Sequence, residues 1–224
     1  PLVNIWANVL SDRVKSKFPS FKIQNSKFKI LPTYDIDIAY SYKHKGWLRN
    51  AGGFFKSPSA ERIKVLAGFE KDPFDCYAWL NQLHQQNSLQ AVYFFLVAEK
   101  NSLYDKNILP YTDAMWKLVK QHAKKYAVGL HPSWQSGDDR SLLKKEKELL
   151  EAMSAQDITN SRQHYVRFNM PEGYQRLVTA GITDDYSMGY GSINGFRASV
   201  ASSFYWYDLE KEAQTSLRIH PFCF

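Results

Sequence analysis

Cysteine is nearly missing from this chain of 224 residues. The two that occur, Cys76 and Cys223, stand far apart and in no metal or redox spacing. A disulfide framework is excluded, and a reducing compartment is favoured. Glycine and proline are modest, at 11 and 9 residues, which excludes collagen-like and low-complexity classes. Long apolar runs are lacking. The longest, residues 91–98 (AVYFFLVA), has the length of a strand and falls far short of the roughly 20 residues of a membrane span. No signal-peptide pattern opens the sequence. The expectation is a cytoplasmic protein, in a chain that reads as a piece of something longer. Runs of one charge sign are lacking too. The densest, residues 144–148 (KKEKE), mixes both signs and reads as the solvated face of a helix. Lysines and arginines are spread along the chain, so the net charge of +7 does not make the one-sign patch that nucleic acid needs. No glycine-rich phosphate loop follows a strand pattern; Gly189-x-Gly191 has no helix after it.

What is abundant is aromatic: 6 Trp, 14 Tyr and 14 Phe. Most of these rings belong to a core that a chain this long can build without staples. The remainder suits a carbohydrate partner, because Trp and Tyr stack on sugar faces while their polar tips tolerate water.

Strand and helix patterns alternate. Strands are expected at 28–39, 89–98, 127–130, 163–168, 182–187, 195–199, 203–208 and 216–222. Helices are expected at 60–68, 74–87, 111–125, 139–155 and 171–180. This spacing predicts βαβ units and a parallel α/β sheet, closed or nearly closed as a barrel, with the site at the C-terminal rim of the strands. Residues 40–58 and 184–204 are the expected rim loops. Residues 1–27 read as the tail of a preceding region and 28–224 as the barrel domain.

Asp35 and Asp37 stand two apart in TYDID, so an extended strand turns both to one face. Ile30, Leu31, Ile36 and Ile38 around them read as a buried strand. Two carboxylates there call for a cation or a shared proton. Their structural alternative is a pair at an exposed strand mouth. His131 closes a short apolar strand in GLHPS; His164 (RQHY) and His220 (LRIHP) occupy similar places. His44 lies in a basic loop, while His84 and His122 fall inside helix patterns and read as surface or packing residues.

In order, TYDID (33–37), GLHPS (129–133), RQHY (162–165), DDY (184–186) and LRIH (217–220) resemble the motif series of the polysaccharide deacetylases, the NodB-homology or carbohydrate esterase family 4 superfamily, in a divergent bacterial branch. The resemblance covers residues 28–224 and implies a distorted (β/α)7 barrel. It implies a hydrolase of carbon–nitrogen bonds other than peptide bonds, releasing acetyl groups from an N-acetylated polysaccharide. It makes Asp35 the general base, Arg162 the residue that holds it, and His220 the general acid. It makes Asp37 and His131 ligands of a divalent metal, zinc first, with cobalt or nickel as alternatives. The family's second metal histidine falls at Gln135, and His164 is the best substitute donor. Tyr165, Trp134, Tyr186 and Trp206 are the expected sugar-contacting rings, with Trp47, Tyr190 and Tyr207 further rim aromatics. Two other readings stay open. One is an inactive barrel that binds carbohydrate without cleaving it. The other is a glycoside hydrolase using Asp35 with Asp185 or Asp208.

Overall fold

The computed structural model describes residues 1–22, 29–167 and 169–223. In chain order its elements are α1 (Leu2–Lys17), β1 (Thr33–Ile36), α2 (Trp47–Lys56), α3 (Ala60–Leu66), α4 (Tyr77–Gln86), β2 (Val92–Phe95), α5 (Asp113–Ala123), β3 (Ala127–Leu130), α6 (Arg140–Ser154), β4 (Asn160–Ser161), a 3-10 turn at His164–Val166, α7 (Glu172–Thr179), β5 (Asp184–Asp185), β6 (Phe204–Asp208) and β7 (Ala213–Ile219). They fall into two compact units: a central one, Leu31–Ile158, and a terminal one that joins Pro1–Ile30 to Thr159–Phe224.

The central unit is built on β2. Its four residues, VYFF, are all buried, as expected for a strand covered on both faces. It pairs in parallel with β1 on one side (Thr33↔Val92) and β3 on the other (Val92↔Ala127). Helix α5 packs Met115, Leu118 and Val119 inward, and α6 packs Leu143, Leu150 and Met153. Their starts are set by side-chain caps. Thr112 accepts from the Met115 N–H, and Asp139 from those of Ser141 and Leu142. His84 and His122 are indeed packing residues. The His84 ring bridges the hydroxyls of Tyr34 (2.8 Å) and Tyr126 (3.1 Å). His122 lies edge-on to Tyr93, with ring centres 4.5 Å apart.

The expected loop at 40–58 contains α2 instead. Asp72 sets up its approach. One carboxylate accepts the backbone N–H groups of Ser41, Tyr42, Lys43 and Phe74 at 2.7–3.0 Å. These bonds hold its pKa below the usual carboxylate range, although burial alone pushes the other way.

In the terminal unit β4 and β5 run parallel, β5 and β7 run parallel, and β6 returns antiparallel on β7. Helix α7 buries Tyr174 and Leu177. Residues 2–17 form a helix with no buried residue, whose start is tied to the 199–202 loop through Val3 N–H to Ser199 O (3.2 Å) and Ala201 N–H to Asn4 Oδ1 (2.8 Å). Two strand expectations fail. Residues 195–199 are turns and bends. At 163–168 the strand has already ended at Ser161, and Tyr165 (φ 58°) and Val166 (φ 53°) take left-handed backbone that breaks strand alternation. Phe168 lies outside the described residues. Elsewhere the α/β expectation holds: β1–β2, β2–β3, β4–β5 and β5–β7 pair in parallel and β6–β7 antiparallel, and among the described residues hydrogen bonds do not close the strands into a ring.

Asp72→Ala strips four backbone N–H groups of one acceptor and should cost about 1–3 kcal/mol, measured by urea unfolding at pH 7. A carboxyl with a depressed folded pKa stabilises above its unfolded value, about 3.9. That stabilisation fades as pH falls through the lower folded value, so the gap between wild type and variant should narrow below about pH 4.

Candidate functional site

The register of the central ladder aligns Ile36, Phe95 and Leu130. Parallel strands in register release their next residues at one end. Asp37 follows β1 and His131 follows β3, the latter donating its backbone N–H to Phe95 O at 3.0 Å. Their side chains meet: His131 Nε2 lies 2.9 Å from Asp37 Oδ1, with the imidazole buried and the carboxylate 47% exposed. The expected buried pair of carboxylates on β1 is not what forms. Asp35 is exposed, as are Ile30 and Leu31, and Asp37 lies beyond the end of the strand. The charge on Asp37 is answered by an imidazole from β3.

Asn107 holds this corner, and no sequence pattern announced it. Its Nδ2 donates to Ile36 O (2.7 Å) and Leu96 O (3.0 Å). Its Oδ1 accepts from the N–H groups of Ala39 (2.9 Å) and Ile108 (2.8 Å). One buried amide thus uses its full capacity to bracket Asp37 on both sides. The turn after His131 is fixed in the same way. Glu146 Oε2 accepts the Ser133 N–H (3.0 Å) and Asp105 Oδ1 accepts that of Trp134 (3.0 Å). Glu146 is therefore buried, not part of a solvated face, and burial raises its pKa. The Trp134 ring stacks on Tyr104 at 4.0 Å, and Gln135 is exposed.

In the terminal unit, buried Arg162 donates Nε to Tyr186 O (2.9 Å) and lays its guanidinium on the Phe222 ring, 4.4 Å from the centroid. A Cβ at position 189 would come within 2.3 Å of that ring, so Gly189 is a packing requirement and not a nucleotide fingerprint. His164 is buried in the 3-10 turn, its ring 4.3 Å from that of exposed Tyr165. Asp185 is fully buried and pushed up to about 6 by desolvation, against the Ser187 N–H (2.9 Å) and hydroxyl (2.7 Å), Arg162 and the Tyr174 hydroxyl. His220 Nε2 donates to Asp184 Oδ1 at 2.7 Å, and its ring stacks on Tyr186 at 4.3 Å and 7°. Burial lowers its pKa, while Asp184 pulls it back up. Asp184 is the residue missed here: adjacent carboxylates in DDY look equivalent, and only the strand's alternation gives one to His220 and the other to the interior. Two expected rim aromatics are buried. Trp206 packs edge-on to Tyr174 (5.3 Å), and Tyr186 is the platform under His220. Asp208 is buried too, tied to Gln175 Nε2 (3.2 Å), the Glu210 N–H (3.1 Å) and Lys211 (3.3 Å), which removes it as a glycosidase carboxylate.

An imidazole nitrogen and a carboxylate oxygen suit a borderline-soft divalent cation. Two ligands on one tetrahedral zinc sit about 3.3 Å apart. Trading the shared proton of the Asp37–His131 pair for a cation thus needs a shift of only a few tenths of an ångström. Among the described residues no helix is long and apolar enough to cross a membrane.

No protein-family profile matches the chain, and no curated protein sequence matches it. Solved structures do. One from Mycobacterium smegmatis, assigned to the polysaccharide deacetylases, superposes with TM-score 0.52 at 12% identity over 88% of this chain and 60% of the other. Weaker likenesses are a BpsB deacetylase domain from Bordetella bronchiseptica (TM-score 0.40, 14% identity, 73% of this chain and 90% of the other) and a mutant carbohydrate esterase family 4 pseudoenzyme with restored activity (TM-score 0.43, 11% identity, 74% and 47%). The fold is thus that of the polysaccharide deacetylases, and the chain spans 60% of the length of the M. smegmatis protein.

Two outcomes follow from the geometry. Asn107→Leu leaves its four backbone partners without their bonds and should lower stability by about 2–4 kcal/mol, seen as a lower urea midpoint. The His220 ring, followed by NMR, should titrate below the ordinary histidine value, and Asp184→Asn should lower it further by removing the group that favours the charged imidazole.

Proposed function

We propose that this chain is a metal-dependent deacetylase acting on an N-acetylated polysaccharide. The observation that carries the reading is the contact of Asp37 with His131 just past the ends of β1 and β3, the two strands that flank β2, in a fold shared with a polysaccharide deacetylase. Asp37 and His131 would hold the metal, with His164 as third donor. Three protein donors would match the ligand count of a catalytic zinc site. Bound there, the metal would polarise the acetamide carbonyl and make water a better nucleophile. In this reading Asp35 would serve as general base toward the attacking water and Arg162 would be the residue that orients it. His220 gives its proton to the departing amine, and Asp184, on its Nε2, fixes the tautomer and steadies the imidazolium. Tyr165 and Trp134 offer rings for the sugar.

One observation favours a second reading, a barrel that binds sugar without cutting it. Gln135, at the place of the family's second metal histidine, is exposed and a weak donor. Metal content and product decide between them. Protein dialysed against zinc, cobalt or nickel should retain about one ion per chain, and Asp37→Ala, His131→Ala or His164→Ala should each release it. Acetate, not reducing ends, should appear from chitooligosaccharides, and His220→Ala should slow its release about 10²–10⁴-fold. No retained metal and no acetate from wild-type protein would leave the non-cleaving reading standing.

A further inference from the structure

The net charge of the chain is not as evenly spread as its runs suggest. Residues 43–71 hold seven Lys and Arg (Lys43, Lys45, Arg49, Lys56, Arg62, Lys64, Lys71) against two acids, Glu61 and Glu70. That is five of the seven units of net positive charge in a stretch carrying α2 and α3. The same helices carry an open apolar groove. Trp47, Ala51, Phe54 and Phe55 recur at helical spacing along one stripe of α2, and Ile63 and Leu66 of α3 lie across a groove of about 680 Å³ from them. Trp47 is 77% exposed, Phe55 85%, and Phe69, just past α3, 83%.

Arg62 occupies the polar side of the helix pair. Arg62 packs so closely on α2 that a Cβ at Gly53 would come within 2.6 Å of its Nη1. It donates to Asn50 O (3.2 Å) and lies over the Tyr42 ring, 5.1 Å from the centroid. What faces outward is aromatic and aliphatic, in a stretch of sequence rich in Lys and Arg. An apolar patch of this kind marks an interaction surface. Its chemistry narrows the occupant. Two copies of this face would repel each other. A neutral sugar polymer would gain nothing from the lysines. Crowding of the positive charge is visible at Lys45, lowered to about 8 by burial and by Arg49 beside it; an anionic surface would relieve it. Trp and Phe over a basic flank are what a helix lying in a membrane interface presents, rings among the acyl chains and ammonium groups among the phosphates.

We propose that the α2–α3 face docks on the surface of an anionic lipid bilayer, lying in the interface without spanning it. Independently of any activity, this gives the protein a membrane-surface address.

Co-sedimentation with phosphatidylcholine vesicles containing about 30% phosphatidylglycerol, in about 0.1 M salt, tests it. The full chain should bind these vesicles at least about tenfold more tightly than pure phosphatidylcholine, and raising the salt to about 0.5 M should weaken binding. Trp47→Ser with Phe55→Ser should reduce binding about tenfold or more. Lys43→Gln with Lys56→Gln should do the same, each neutralised lysine contributing about fivefold. Trp47 and Phe55 are solvent-exposed, so an unchanged circular dichroism spectrum and unfolding midpoint are expected and separate lost docking from lost fold. Absence of vesicle binding, equal binding to neutral vesicles, or binding unmoved by either double variant overturns the proposal. So does light scattering that shows the chain self-associating through this face, with the Trp47→Ser/Phe55→Ser variant monomeric.

Discussion

In-register parallel pairing of three short strands is the constraint from which the central unit takes its chemistry. Because β1, β2 and β3 stop together, Asp37 and His131 emerge on the same side and come to 2.9 Å. A half-exposed carboxylate facing a buried imidazole is stable only if something is shared between them, a proton or a cation. The rest of the corner is arranged to keep that contact in place. Asn107 fixes the chain before and after Asp37, and Glu146 and Asp105 fix the turn after His131.

The terminal unit repeats the theme with different groups. Two-residue strands leave little ladder, so buried side chains do the positioning. Arg162 is held by Tyr186 O and Phe222, Asp185 by Ser187, and His220 by Asp184 and the Tyr186 ring. Each is a polar group largely taken out of water with its partners supplied. Gly189 shows the cost in sequence terms: a single added Cβ collides with the ring on which Arg162 rests.

Away from these corners the chain presents a surface of another kind. The 43–71 stretch combines exposed rings with most of the net positive charge. The charge does not show as a run, because its lysines and arginines are separated by other residues, and the exposure of the rings shows only in the fold.

The sequence by itself determined the alternation of strand and helix, the buried run of β2, and the motif series that carries Asp37, His131, Arg162 and His220. Those are local: periodicity, apolar runs and short spacings survive without knowledge of the fold. It did not determine which carboxylates are buried, since Glu146 looks solvated in KKEKE and Asp184 looks like Asp185. It did not separate rim aromatics from core ones, so Trp206 and Tyr186 read as sugar platforms. It offered no hint of Asn107, it read β1 as a longer strand than forms, and it placed a strand at 163–168 where β4 has already ended. Burial and hydrogen-bond partnership depend on neighbours distant in sequence, 71 residues in the case of Asn107 and Ile36. Only the tertiary structure decides them, because desolvation acts on a group according to what surrounds it and not according to what flanks it in the chain.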